Sequence, residues 1–156
     1  MRYRAVPAGY VTAYAEVSTW GYGKPHLNQL VRSLLFGAGS FLVDLPNRGS
    51  FSPDTAFHPG PLQGRRFMDG APEFAVEVCG EDDYGSAVKR EMADKCAGYL
   101  AAGTLVVWDV DALRERPVRV YCAGEPDRPT VYRSGDVAEA EPALPGWTMP
   151  VAELLP

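Results

Sequence analysis

Basic residues are in the minority in this chain of 156 residues, where 15 Lys and Arg stand against 20 Asp and Glu for a formal net charge of −5. A protein that binds nucleic acid by general electrostatic attraction carries a clustered excess of Lys and Arg, which the sequence lacks. Bound cations can reverse the local sign of charge in an acidic protein. The charge balance therefore argues against a general nucleic-acid binder but leaves a metal-dependent enzyme acting on phosphates open.

Cysteines and long apolar runs are also scarce. Cys79, Cys96 and Cys122 are an odd number at wide spacing without a C-x-x-C pair, so buried free thiols are expected. No apolar run approaches the roughly 18 residues that a membrane span needs, and no apolar signal segment opens the chain. We therefore expect a cytoplasmic protein without membrane association.

The length predicts a single domain over residues 1–156, long enough to bury a hydrophobic core. The sequence contains no internal repeat and no domain linker. A first helix is predicted from Pro25, which suits a first helical turn, to the breakers Gly37 and Gly39. Its apolar stripe is Leu27, Leu30, Val31, Leu34 and Leu35.

After this helix the pattern alternates between strands and one long helix. The apolar run at 104–110 is typical of a central strand covered on both faces, and a strand–helix–strand crossover is expected to be parallel and right-handed. The first two strands are expected to pair as a hairpin. The result is an α/β fold, a mixed sheet flanked by helices with core order α-β-β-β-α-β. The predicted elements are strands at 40–45, 51–57, 73–79, 104–110, 118–122 and 130–133, and a helix at 84–102.

Glu77 stands in the middle of an apolar strand whose alternation puts it on one face with Ala75 and Cys79. A carboxylate there is costly to desolvate unless a cation, a hydrogen-bond donor or a solvated cleft compensates it. Asp54, directly after Pro53, is a candidate partner in a two-carboxylate metal site. The alternative is that Asp54 has only a structural role as an ordinary turn residue.

Lys95 lies about 100° around the second helix from Cys96, at the edge of the buried stripe, from where its long side chain can reach inward. Asp54, Glu77 and Lys95 could therefore converge. Two carboxylates suit Mg²⁺ or Mn²⁺, and an ammonium beside them suits phosphodiester hydrolysis. Alternatively, Lys95 forms only a surface pair with Glu91, four residues before it.

Several segments, in order along most of the chain, resemble the Uma-type restriction endonuclease family of the PD-(D/E)xK nuclease superfamily. Each segment is weak by itself, but the combination and the order are fairly specific. The amino-terminal region departs from the family in being shorter, without its acidic stretch before the first helix. The segments that carry the resemblance are Pro53-Asp54, 70–78, 95–103, 106–111 and Leu144-Pro-Gly-Trp147.

The resemblance implies a restriction-endonuclease-like core with a divalent-metal site that contains Asp54, Glu77 and the main-chain carbonyl of Val78. Cys79 occupies the usual lysine position of the motif and cannot supply an ammonium. Lys95 falls where family members place a lysine on the following helix, and Lys89 is the second choice. His26, at the start of the first helix, is a further candidate near the metal ligands.

The function implied is a Mg²⁺- or Mn²⁺-dependent endonuclease that acts on DNA, with a homodimer expected because duplex cleavage benefits from two sites. A catalytically silent domain of the same fold, serving binding or assembly, is the alternative, and a hydrolase of a smaller phosphate is a third. Arg65 and Arg66, in the long loop between the two carboxylates, are either phosphate contacts or a solvated pair.

Overall fold

A computed structural model describes residues 34–37, 40–58, 67–79, 85–111 and 117–154. One α-helix and one 3₁₀ helix lie within these residues, and the remaining elements are short strands. The strands are β1 (Leu34–Gly37), β2 (Ser40–Leu45), β3 (Arg48–Phe51), β4 (Thr55–His58), β5 (Phe67–Asp69), β6 (Phe74–Val78), β7 (Val106–Val110), β8 (Val118–Cys122), β9 (Thr130–Tyr132), β10 (Val137–Glu139) and β11 (Thr148–Pro150); the helices are α1 (Ser86–Ala101) and the 3₁₀ helix Val151–Leu154.

The main sheet has six strands in the order β1-β4-β6-β7-β8-β9. Strands β6 and β7 are parallel because α1 connects them, whereas the other neighbouring pairs are antiparallel. All five residues of β7 are buried, as expected for a central strand. The predicted mixed sheet, the parallel crossover and the α/β class are therefore confirmed.

The two faces of β6 and β7 pack against different partners. Phe74, Val76 and Trp108 belong to a large core that includes Trp147 from the carboxyl-terminal segment. On the opposite face, Ala75 and Val107 pack with residues of α1. Because side chains alternate along a strand, Glu77 and Asp109 also face α1.

Helix α1 forms because apolar side chains recur at helical spacing and lie on the sheet. Cys96 and Tyr99 are its buried residues, and Met92 and Leu100 pack at the margin. Gly103 follows the helix with a φ of 110°, a conformation that glycine adopts readily, and so ends it as predicted. No helix in the described parts of the chain is long and apolar enough to cross a membrane.

The prediction of one strand over 51–57 is wrong, although its hairpin with 40–45 exists in part. Strand β3 pairs with β2 in a separate three-stranded sheet of order β3-β2-β5, whereas β4 joins the main sheet. The break falls at Pro53, which has no N–H to donate to a ladder. Asp54 consequently lies in the bend between two strands of different sheets.

The prediction that Leu34 and Leu35 belong to a first helix is also wrong, because 34–37 form strand β1, antiparallel to β4. A short apolar run satisfies both a helical stripe and a covered strand, so its spacing does not distinguish them. The rest of that predicted helix, with His26, lies outside the described residues, as do Arg65 and Arg66.

Candidate active site

Glu77 is a buried carboxylate with both oxygens engaged. It is only 4% exposed. Its Oε2 lies 2.7 Å from the ammonium nitrogen of Lys95, and its Oε1 accepts a 2.6 Å hydrogen bond from the hydroxyl of Tyr99. Lys95 and Tyr99 are four residues apart on α1, so one face of the helix supplies both partners. These contacts offset the desolvation of the charge.

Asp54 reaches the same strand as Glu77 from the bend after β3. Its Oδ2 accepts a 2.7 Å hydrogen bond from the main-chain N–H of Val78. Val78 directly follows Glu77. Glu77 therefore belongs to the carboxyl end of β6, and Asp54 contacts this same end of the strand. That the carboxylates of Asp54 and Glu77 share one metal ion stays a prediction.

The main-chain carbonyl of Val78 lies on the side of the strand that faces Asp54. The N–H and C=O of one strand residue point to the same neighbouring strand, and the next N–H, that of Cys79, donates in the other direction to Val110. Thr55 pairs with Val76, so continuing this register by two residues places Pro53 opposite Val78. Since proline has no N–H, it cannot donate a ladder hydrogen bond to this carbonyl.

Lys89, the second choice for the helical lysine, lines a cleft, whereas Lys95 forms the ion pair with Glu77. Lys89 is exposed, and the cleft, which is small and partly open to solvent, lies beside the end of β6. Lys95 is therefore the helical lysine that contacts Glu77. The other residues that line the cleft are Cys79, Val88, Met92, Asp109, Asp111 and Arg119.

Asp109 is a second buried carboxylate of this region that the sequence interpretation did not single out. It is 7% exposed and pairs in register with Glu77 on the neighbouring parallel strand. Arg119 lies 3.7 Å from its Oδ2, and the thiol of Cys79 donates to its Oδ1 at 3.5 Å. The signal that could have revealed it is the same as for Glu77, an acidic residue inside an apolar strand.

Burial raises the pKa of the Tyr99 hydroxyl well above its usual range, and the hydrogen bond to Glu77 and the charges of Glu77 and Asp54 raise this pKa further. The hydroxyl is therefore a proton donor to Glu77 throughout the physiological range.

Cys96 should be protected from thiol reagents until the protein unfolds. Burial, followed by the charges of Asp109 and Glu77, raises its pKa from 9.0 to about 12, so at pH 8 it carries about a thousandfold less thiolate than an unfolded cysteine. Above pH 9.0 the unfolded thiol loses its proton while the native thiol keeps it. The contribution of Cys96 to the free energy of unfolding should therefore fall as pH rises above 9.0 and stay constant below that pH. Mass spectrometry after iodoacetamide pulses should show half-buried Cys79 modified before Cys96; the reverse order would contradict this environment.

The sequence profile of the Uma2 family, described as "Putative restriction endonuclease", matches residues 16–152. The chain belongs to the Uma2 family. This Uma2 chain is also similar to a crystal structure from Anabaena variabilis that is described as "a putative nuclease belonging to DUF820". The TM-score is 0.65 and the sequence identity is 16%, over 96% of this chain and 82% of the other. At this identity the likeness shows the fold alone. A comparison with curated proteins finds no match.

The donor atoms of this Uma2 chain suit a small hard cation. Within the described residues, no three His, Cys, Asp or Glu side chains gather as metal ligands, so a cage built from side chains alone is absent there. Mg²⁺ is commonly held by one or two carboxylates and keeps several of its waters. Two carboxylates, Asp54 and Glu77, with the Val78 carbonyl fit that chemistry.

Proposed function

We propose that the protein is a Mg²⁺- or Mn²⁺-dependent endonuclease that hydrolyses phosphodiester bonds in DNA. One observation carries the proposal: the buried Glu77 carboxylate is held by a lysine and a tyrosine, directly before a residue whose main chain binds Asp54. Desolvating a buried ion pair costs free energy that packing alone would not require. Here the pair also engages the Tyr99 hydroxyl and lies next to an aspartate bound to the main chain. The family description favours the same chemistry.

In this proposal Asp54, Glu77 and the carbonyl of Val78 hold the ion. A divalent ion there would lower the pKa of bound water and neutralise charge on the phosphate. Lys95 contacts the buried Glu77 carboxylate, and its side chain is 26% exposed. We assign to its ammonium the role of orienting the attacking water or stabilising negative charge on the scissile phosphate.

DNA as the substrate and a homodimer as the assembly are the finer parts of the proposal. The family description names restriction endonucleases, which act on DNA. A two-fold dimer is the commonest assembly and would present one site to each strand of a duplex. Because the net charge is −5, the proposal assigns the attraction for the phosphate mainly to the bound ion and not to a general basic surface.

Lys95→Ala should cleave supercoiled plasmid at least about 100-fold more slowly than wild type, because losing one group that stabilises developing charge typically has this effect. Lys89→Ala is the matched control, since it removes the same charge from the same helix without touching Glu77. It should retain the wild-type rate. Agarose-gel time courses in Mg²⁺ and in Mn²⁺ give both rates.

Equal loss in the two lysine variants would mean that general positive charge on α1, and not the contact with Glu77, supports cleavage. Absence of cleavage by the wild type in both ions would favour the catalytically silent domain. Equal activity in wild type and Lys95→Ala would place the activity elsewhere or in a contaminant.

A further inference from the structure

Tyr99 contacts both halves of the candidate site. It is fully buried, and its hydroxyl donates to Glu77 at 2.6 Å. Its ring stacks on that of Phe51, with centroids 4.0 Å apart and an interplanar angle of 22°. Phe51 is the last residue of β3 and lies three positions before Asp54. One side chain therefore links the Glu77 carboxylate to the segment that delivers Asp54.

The ring of Phe51 is itself held firmly. It is 1% exposed, and the guanidinium carbon of Arg48 lies 4.8 Å from its centroid. On the helix side, Gly98 approaches so closely that an added Cβ would lie 3.2 Å from Phe51 Cζ. The contact between α1 and the end of β3 is consequently a close fit at Gly98 and Tyr99, with little freedom for either to shift.

A role in packing alone does not account for the tyrosine hydroxyl. Phenylalanine would provide the same ring for stacking, and burying a hydroxyl is costly unless it is hydrogen-bonded. Here the hydroxyl takes one lone pair of Oε1 while Lys95 takes one of Oε2. A carboxylate has about four lone-pair positions, so each oxygen keeps one for a cation while its rotation is restricted.

We propose that Tyr99 is a positioning residue that fixes the orientation of Glu77 and its spacing from Asp54 for binding a divalent ion. The hydroxyl orients the first carboxylate, and the stacked ring holds the bend that carries the second. This inference rests on the proposed function. Groups that orient metal ligands act through the ligand, and their effect appears first in the affinity for the ion.

The test is Mn²⁺ binding by isothermal titration calorimetry, without substrate. Tyr99→Phe should weaken the dissociation constant by about 10- to 100-fold, the usual effect of removing a group that orients a ligand. Tyr121→Phe is the matched control, because Tyr121 is a half-buried tyrosine on the same side of the sheet and is not the donor to Glu77. It should bind Mn²⁺ like the wild type.

Phe51→Leu tests the stacking of the Tyr99 ring separately from the hydrogen bond of the Tyr99 hydroxyl. It keeps an apolar side chain but removes the stacking, so it should also weaken Mn²⁺ binding although Tyr99 and Glu77 are intact. Circular dichroism melting of each variant without metal shows whether the fold is retained, and only folded variants are compared.

Wild-type affinity in folded Tyr99→Phe, with a wild type that binds Mn²⁺ and cleaves plasmid, would overturn the positioning role and leave the nuclease proposal standing. An equal loss in Tyr121→Phe would overturn it as well, because the effect would then be general. A wild type that binds no Mn²⁺ would overturn both proposals.

Discussion

Glu77→Gln should abolish detectable binding of Mg²⁺ and Mn²⁺ and slow plasmid cleavage by at least about 1,000-fold, because a metal supplies several kcal/mol of charge stabilisation and each 1.4 kcal/mol is tenfold in rate. Glutamine has the shape of glutamate and can still accept from the Tyr99 hydroxyl. The substitution thus removes the charge with little change in packing. Calorimetry with Mn²⁺ and gel-based cleavage rates measure the two effects.

Glu73→Gln provides the matched control, since Glu73 precedes the same strand and belongs to the same alternation as Glu77. It should bind and cleave like the wild type. Cleavage by Glu77→Gln at the rate of Glu73→Gln would remove Glu77 from the site. Loss of activity in both variants would point to a general effect of negative charge on β6.

Trp108→Ala should have the largest effect on stability, lowering the free energy of unfolding by about 3–5 kcal/mol, as is usual when a core tryptophan is truncated. Trp108 is 1% exposed, and its ring contacts those of Phe74 and Trp147, each at a centroid distance of 5.4 Å. Its indole N–H also donates to the carbonyl of Glu139 at 3.2 Å, which the substitution leaves without this donor.

Urea denaturation followed by circular dichroism measures this change. Val137→Ala is the control for loss of apolar volume, because Val137 is 54% exposed and should change stability by no more than about 0.5 kcal/mol. A similar small change for Trp108→Ala would show that the face of the sheet opposite α1 contributes little to folding. Folded Trp108→Ala should still bind Mn²⁺, since the side chains of Trp108 and Glu77 lie on opposite faces of the sheet.

The sequence predicted the parts of the site that depend on local periodicity. Alternation along β6 placed Glu77 on the face with Ala75, and helical spacing placed Lys95 at the edge of the buried stripe of α1. Both placements are confirmed, because a strand or helix fixes the direction of a side chain through its own backbone. The contact between them follows once α1 packs on that face.

The missed features depend on pairing between distant segments. Nothing near Phe51 shows that β3 and β4 join different sheets, although Pro53 marks where they separate. The hydrogen bond from Tyr99 to Glu77 requires the rotation of α1 on the sheet, and the neighbourhood of Glu77 and Asp109 requires the register of two parallel strands. Periodicity identifies faces but not which residues on two faces meet.

Because the register sets Glu77 beside Asp109, the binding of the metal ion and the binding of the substrate should be coupled through charge. Counting formal charges, the three carboxylates of Asp54, Glu77 and Asp109 exceed the two cations Lys95 and Arg119 by one. A divalent ion held as proposed would turn that excess into one positive charge, and a phosphodiester carries one negative charge. Ion and substrate would then each raise the affinity of the other by the same factor, as reciprocity between two ligands requires.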